Sequence, residues 1–425
     1  MQQQAPAKSY YKFLWERFHR NPVSRWALRG LYLLIFFAVF VDFIANEKPI
    51  YCKIDGQHYF PVLKHYAVRL GWSQWESRFI TEGWHKQPYQ SVLFPPFPYS
   101  ATFQDIYNRS AVGPFDHQKV KSWRWRHWLG TDMLGRDVAA GMVSGARVAV
   151  LVGIVAMSIA TLLGLFFGSL AGFFGDSGYK LPFIRLLFLL FGAFAGFFYG
   201  FISRAFILEA AGKDGQLFFQ LGISVCIIAA FIFVAYLLSR LFEKIAFFKK
   251  RIAFPFDLLV MRLIEIMRSI PTLLLLLAIV AIIRKPSILY IMAIIGLIRW
   301  TSIAQFLRAE LLKIRQLEYI EAARALGFSD WRIIVNHALP NTITPVLITI
   351  SFGVASSVLL EAFMSFLGIG VAAEEVTWGA LLNNARQNFS AWWLAVFPGI
   401  AIFFTVVIFN LIGEGLTEAM EVRLD

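Results

Sequence analysis

Side chains able to do chemistry are sparse in this chain, and their spacing excludes most reactions. His127 and His337 each stand alone. An isolated histidine is more often a hydrogen-bonding residue than a ligand, so no metal is assigned. Cys52 falls in a polar loop and Cys226 in an apolar run, which implies neither a disulfide framework nor a metal site. No GxxxxGK[ST] phosphate loop occurs, so the chain does not bind ATP by that route. Nor is there a Ser-His-Asp or paired-carboxylate constellation for catalysis. What remains is charge placed inside apolar runs. Arg262 and Glu265, three apart, can pair on one helix face near its cytoplasmic end, and a structural ion pair is favoured over a proton relay. Glu361, just before "AFMSFLGIG", either shapes an outer gate or caps a bent segment, and both readings stay open. One polar stretch interrupts the apolar chain, "YIEAARALGFSDWRIIVNHALPN" from Tyr319 to Asn341.

The elements that must position these residues are membrane helices. Of 425 residues, 58% are hydrophobic and 43 are Phe. The mean hydropathy is +0.61. That apolar share marks a membrane protein. The net charge of +13 is what cytoplasmic loops collect under the positive-inside rule. No RNA-binding signature, zinc pattern or basic-aromatic strip accompanies it, so a nucleic-acid partner is excluded. The opening "MQQQAPAKSYYKFLWERFHRNPVSRWALRG" is too long and polar for a cleaved signal peptide and reads as a basic cytoplasmic leader.

Eight apolar runs are long enough to cross a bilayer: roughly 28–46, 148–174, 181–201, 217–239, 257–283, 287–307, 342–366 and 391–413. The divisions are a cytoplasmic segment 1–27, a first helix 28–46, an external loop 47–147 and a membrane domain 148–425. Lys8, Lys12, Arg17, Arg20, Arg25 and Arg29 precede the first crossing. Arg240, Lys244, Lys249, Lys250 and Arg251 follow the fourth, and Arg308, Lys313, Arg315, Arg324 and Arg332 follow the sixth. Eight crossings with both termini inside put all three groups in the cytoplasm, as the rule requires. Gly164, Gly168 and Gly172 recur every four residues, as do Gly192, Gly196 and Gly200, and these two rows are expected to pack against each other.

The polar stretch carries its own punctuation. A helix is expected over 317–326, with Gly327 as a left-handed cap just past its end. Ser329 is placed to cap the next helix, with Asp330 in its first turn, and Pro340 is expected to end that helix before a crossing begins near Thr342. Ala322, Ala325 and Leu326 leave an apolar face that the membrane cannot cover, which is a docking surface for another subunit.

These residues resemble a family. Glu321-Ala322-Ala323, Gly327 and Leu339-Pro340 match the "EAA…G…LP" loop of binding-protein-dependent ABC importer permeases. "WLGTDMLGRDVAAGMVSGARVAV" (Trp128–Val150), "MRLIEIMRSIPTLLL", "EAFMSFLGIGV…TWGALL" and "FNLIGEGLTEAME" are similar to segments of its dipeptide, oligopeptide and nickel branch. Phe43–Tyr66 and Arg308–Ile320 resemble the subgroup with the microcin C uptake permease, which also imports longer peptides. The resemblance covers most of residues 127–425 apart from about 178–253.

The resemblance implies an all-α polytopic fold, a type I ABC importer transmembrane domain of six core helices in the bacterial inner membrane. Residues 178–253 are then an inserted hairpin that preserves the sidedness of every later segment. It implies a second homologous permease, two cytoplasmic ATPase domains that hold ATP and Mg, a periplasmic binding protein, and lipid around the chain. No cofactor is implied on the chain itself, and it is no enzyme. Glu321, Ala322, Ala323, Arg324, Gly327, Asp330, Leu339 and Pro340 become the ATPase-coupling residues, while Arg262, Glu265 and Glu361 remain structural or gate candidates. The cargo implied is peptide, with nickel or another small solute as the alternative. A secondary transporter would instead show a midplane acid site and internal repeats with broken helices, and no such repeat is seen. One departure is Gln305, where many members have Arg.

Overall fold

The structure is a computed structural model that describes residues 10–81, 83–176, 178–214, 216–243, 251–282, 287–369 and 375–421. It contains seven helices long and apolar enough to cross a membrane, and one further apolar pair bent by 80°. The chain divides into two compact units, Met1–Met157 with Ile350–Asp425, and Ser158–Thr349.

In the first unit, α1 (Tyr10–Arg20) is amphipathic and leads into α2 (Pro22–Val39), which opens on an Asn21 cap followed by Pro22. Leu14 and Phe18 of α1 pack against Ala419 near the end of the last long helix. The long loop expected to be external, 47–147, is not featureless. It holds a three-stranded sheet, β1 (Tyr51–Ile54), β2 (Gln57–Tyr59) and β3 (Ser91–Leu93), in the order β2-β1-β3. Asp55 and Gly56 both take positive φ, which suits the tight turn between β1 and β2. Cys52, Ile54, Phe79 and Trp84 form a small core beneath it, with the Phe79 and Trp84 rings stacked at 4.7 Å.

The long helix α3 (Val138–Ser169) continues through a wide π-turn to Phe174. In the second unit, β4 (Lys180–Pro182) leads into α4 (Phe183–Phe197), whose π-turn extension runs to Ile202. It pairs with α5 (Leu217–Phe242), and β5 (Arg251–Ala253) pairs antiparallel with β4. That ribbon closes the base of the hairpin, and a bidentate Arg185–Glu243 pair at 2.6 and 2.7 Å lies close above it. The run expected as one crossing at 257–283 is two helices, α6 (Phe256–Ser269) and α7 (Thr272–Ile282). The break has a local cause. Ile270 precedes Pro271 and takes extended backbone, φ −91 and ψ 124, because the ring disfavours helix before it. Next comes α8 (Ile288–Ile314), capped by Ser287, and then two short helices, α9 (Glu318–Ala325) and α10 (Asp330–Ile333). The chain runs on through α11 (Leu339–Phe366), and α12 (Trp378–Gln387) and α13 (Trp393–Glu421) complete the first unit.

The two glycine rows do not meet, which corrects the expectation that they pack on each other. A Cβ built on Gly164, Gly168 or Gly172 would lie 2.6 Å from Ile303, 2.9 Å from the Ala304 carbonyl and 2.8 Å from Leu311, all on α8. Gly192, Gly196 and Gly200 instead face α5, where a Cβ would reach Ala235, Ile228 and Ser224 at 2.6 to 2.9 Å. Each row serves close backbone approach, but to the helix that sits beside it. Gly168→Leu is therefore expected to cost several-fold in yield of folded protein, since about 1–3 kcal/mol or more is lost on overpacking a tight site. Gly196→Leu should splay only the hairpin. Thermal unfolding of the detergent-solubilised variants, with fluorescent labels across α4 and α5, separates the two outcomes.

Candidate functional site

The polar stretch folds as a capped elbow. Helix α9 ends in a Schellman turn: Phe328 N–H bonds the Ala323 carbonyl at 3.2 Å and Gly327 N–H the Arg324 carbonyl at 2.9 Å. Gly327 takes φ +79 to allow it, the left-handed conformation expected of it. The Phe328 ring then stacks on His337 with centroids 5.9 Å apart, and the Arg332 guanidinium lies 4.5 Å over the same ring. Arg324 lies 5.1 Å over the Phe173 ring, which ties α9 to the end of the α3 extension. Tyr319 Oη accepts from Asn341 Nδ2 at 3.2 Å, closing the elbow from the other side.

Burial splits this element in two. Ile320, Ala323, Ile333, Ile334 and Ala338 are buried. Glu321, Ala322, Arg324, Ala325, Gly327 and Asp330 are exposed, with Leu326 75% and Trp331 62% exposed. Ala323 therefore belongs to the underside and not to the open face. Phe328, Phe173 and the Tyr319–Asn341 pair were missed from sequence, because each acts through a ring contact or hydrogen bond with a residue distant in the chain, and Trp331 because only its exposure marks it.

Two expectations about the second helix are corrected. Ser329 stands at the cap position with extended backbone, but its hydroxyl makes no capping bond, and the Ser329 carbonyl accepts from Ile333 N–H instead. Pro340 does not end the helix. Residues Ile334–Ala338 form a π-turn in which Leu339 N–H bonds the Ile334 carbonyl, five residues back. That shift of register lets Pro340, with no N–H to give, sit inside a helix that runs from Asp330 to Phe366. Leu339 and Pro340 thus couple α10 rigidly to the membrane helix.

The candidate charges are also placed. Arg262 donates to Glu265 at 2.6 Å, and both side chains are exposed. Glu361 is buried, accepts from Ser365 at 2.6 Å and also meets the hydroxyl of Thr377, the N-cap of α12. Gln305, where the family often has Arg, accepts from Arg268 at 2.6 Å. Arg308 donates from Nε and Nη2, one edge of its guanidinium, to both carboxylate oxygens of Asp257, the second at 2.5 Å, and so fixes α8 to α6.

His127 is not solitary, which corrects the sequence reading. It is fully buried between Asp137, 2.7 Å from Nδ1, and Asp105, 3.2 Å from Nε2, with Tyr99 stacked on its ring at 4.4 Å. Asp137 also caps α3 by accepting from Ala140 N–H at 2.7 Å. The rest of the "LGTDMLGRD" segment is bound around it. Asp132 accepts from Leu134 N–H and Arg136 N–H at 2.9 Å each, and the Thr131 carbonyl accepts from Trp393 Nε1 at 3.1 Å. Among the described residues no group of His, Cys, Asp and Glu has metal-site geometry.

Long apolar helices that carry an open, capped elbow define a polytopic membrane transport subunit. The family described as "Binding-protein-dependent transport system inner membrane component" matches residues 244–425. The chain is 25% identical over 368 residues to the glutathione transport system permease protein GsiD of Pectobacterium atrosepticum, covering 86% of this chain and 95% of that one. It is 27% identical over 413 residues to the inner membrane ABC transporter permease protein YejE of Escherichia coli, covering 96% and 95%. To a putative peptide transport system permease protein of Brucella suis it is 37% identical over 170 residues, 40% of this chain and 57% of that one. Residues 244–425 thus match the family of binding-protein-dependent inner-membrane transport components, and relatives matched over most of the chain are named as permease proteins of transport systems. It is a multi-pass permease subunit and not an enzyme.

The His127 clamp sets a pH dependence. Burial alone opposes the charged ring, but the hydrogen bonds and charges of Asp105 and Asp137 outweigh it and raise the pKa from 6.5 to about 9. Burial likewise opposes the Asp105 carboxylate, and its bonds to His127 and Asn108 outweigh that and hold its pKa below the usual range. A raised histidine contributes stability that is complete below its unfolded pKa and is lost as pH rises through the folded one. Thermal stability is thus expected to fall between pH 6.5 and about 9, by at most about 3 kcal/mol from this group. His127→Gln should flatten the curve over that window in parallel melts of the two proteins.

Proposed function

We propose that the chain is the permease subunit of an ATP-driven importer of peptides, longer oligopeptides included, and that its elbow receives the stroke of a cytoplasmic ATPase. The observation that carries this reading is the split elbow. Residues 318–340 present Leu326, Trp331 and Glu321 outward on a scaffold whose own core is buried and whose ends are fixed to α8 and α11. An exposed apolar face on a rigid, membrane-anchored mount suits a partner that pushes on it. ATP binding in that partner, with Mg, closes the ATPase pair and moves the elbow. Because α10 and α11 are one continuous helix, the displacement passes directly into the membrane and rocks it between outward and inward access.

Sidedness follows from the same chemistry. Counting the bent pair α6–α7 as one crossing gives eight, and an interior N-terminus then puts Arg240, the elbow and the C-terminus inside. Lys8, Lys244, Lys249 and Lys250, which also support this orientation, lie outside the described residues. Under it, residues 1–27 are cytoplasmic, 28–46 the first crossing and 47–147 periplasmic, with the permease domain following from 148. The ribbon of β4 and β5 supports reading 178–253 as an insertion in a six-helix core, since it closes the hairpin on itself. That hairpin serves structure or partner contact and not the path. A second permease completes the path, a periplasmic binding protein delivers the peptide, and lipid covers the rest. The names of the relatives, which include dipeptide, peptide and glutathione permeases, support the peptide cargo.

The test uses exposed positions, because Ala323 is buried and its change would confound folding with docking. Glu321→Lys with Leu326→Asp should insert and accumulate as the parent does. In the reconstituted complex, peptide uptake should fall at least about tenfold and substrate-stimulated ATP hydrolysis should be lost. Retention of both activities would remove the coupling role from this face.

A further inference from the structure

Arg299 is placed unlike the other arginines of the long helices. It stands twelfth of the 27 residues of α8, counting from Ile288 as the first. At about 1.5 Å per residue that is roughly 16 Å along the helix, near the middle of a hydrocarbon core of about 30 Å. Several arginines elsewhere in the membrane helices have side-chain acceptors. Arg147 donates to Asp42, Arg185 to Glu243, Arg268 to Gln305 and Arg308 to Asp257. Arg299 has no hydrogen bond or ion pair among the described residues, and its Nε is buried without an acceptor.

The surroundings say which way it is used. One side of α8, with Ile303, Ala304, Leu307 and Leu311, is buried, and its residues meet the glycine row of α3. Arg299 sits at the margin of that side, one turn before Ile303, and is part-exposed, with Ser302 and Phe306 three and seven residues on, both exposed. A strip that carries a guanidinium at midplane depth is not a lipid-facing strip, because charge at the bilayer centre costs at least about 2.5 kcal/mol. Such residues face a water-filled path or a protein interior. A guanidinium there offers a planar fork of donors that fits one chemical group above others, a carboxylate.

We propose that Arg299 is a cargo-contact residue that hydrogen-bonds a carboxylate of the peptide, at its C-terminus or on an acidic side chain, as the peptide crosses the midplane. The inference rests on the peptide-import reading above and adds the group that is recognised. One unpaired cation suits passage, since a contact in a path must hold long enough to guide and weakly enough to release.

The test uses the complete complex of both permeases, ATPase and binding protein in proteoliposomes. Uptake is measured for tetra-alanine, its C-terminal amide, and the amide with one alanine replaced by glutamate, each corrected for its affinity for the binding protein. The parent is expected to favour the free acid over the amide by about tenfold. In Arg299→Gln that ratio should fall to about one, and Arg299→Lys, which keeps charge without the fork, should lie between. Recovery of uptake by the glutamate-bearing amide shows that any carboxylate serves, and failure to recover assigns the contact to the C-terminus. An acid-to-amide ratio that Arg299→Gln leaves unchanged overturns the inference while peptide import stands. Loss of the second permease from the purified Arg299→Gln complex also overturns it, since the partner's carboxylate is then what Arg299 binds. If the parent moves none of the three peptides, it is the peptide reading that falls.

Discussion

Everything mounted on α8 depends on how closely α3 can approach it. Inside a membrane there is no hydrophobic gain from bringing two apolar helices together, so contact must come from van der Waals packing of backbones. Gly164, Gly168 and Gly172 remove the side chains that would hold α3 away, and Ile303, Ala304 and Leu311 fill the space. The same helix then leaves the membrane as the base of the elbow, while the end of α3 supplies the Phe173 ring on which Arg324 rests. A single small-residue seam therefore sets both the position of α8 and the footing of the elbow.

Charge is managed by a related constraint. A cation that enters an apolar span needs an acceptor, and α8 shows the rule and its exception. At one end Arg308 grips both carboxylate oxygens of Asp257 with one edge of its guanidinium, and this joins α8 to the bent pair α6–α7. At mid-depth Arg299 has none. The segment before α3 uses the opposite device, a fully buried imidazole held between two carboxylates, to fix the start of that helix. The two devices differ in purpose. The His127 clamp closes a site off, and Arg299 leaves one open.

Legibility followed distance along the chain. Gly327 as a left-handed cap, Asp330 in a first turn and the Arg262–Glu265 pair were readable because each is settled within a few residues. The break at Pro271 was equally local, though an apolar run of that length conceals it in hydropathy. Pro340 misled because a local rule for straight helices does not foresee a π-turn two residues earlier. His127 looked solitary because Asp105 lies 22 residues away, and only the fold brings them together.

By itself the sequence determined that the chain lives in a membrane, that a polar elbow interrupts it, and where that elbow turns. Hydropathy, charge bias and backbone preferences are properties of short segments and need no partner to be expressed. Only the tertiary structure decided that the glycine rows face α8 and α5 and not each other, that α10 and α11 are one rod, and that Arg299, midway along the apolar part of α8, has a buried Nε without an acceptor. Those outcomes turn on which helix lies beside which, a choice that short-range preferences leave open.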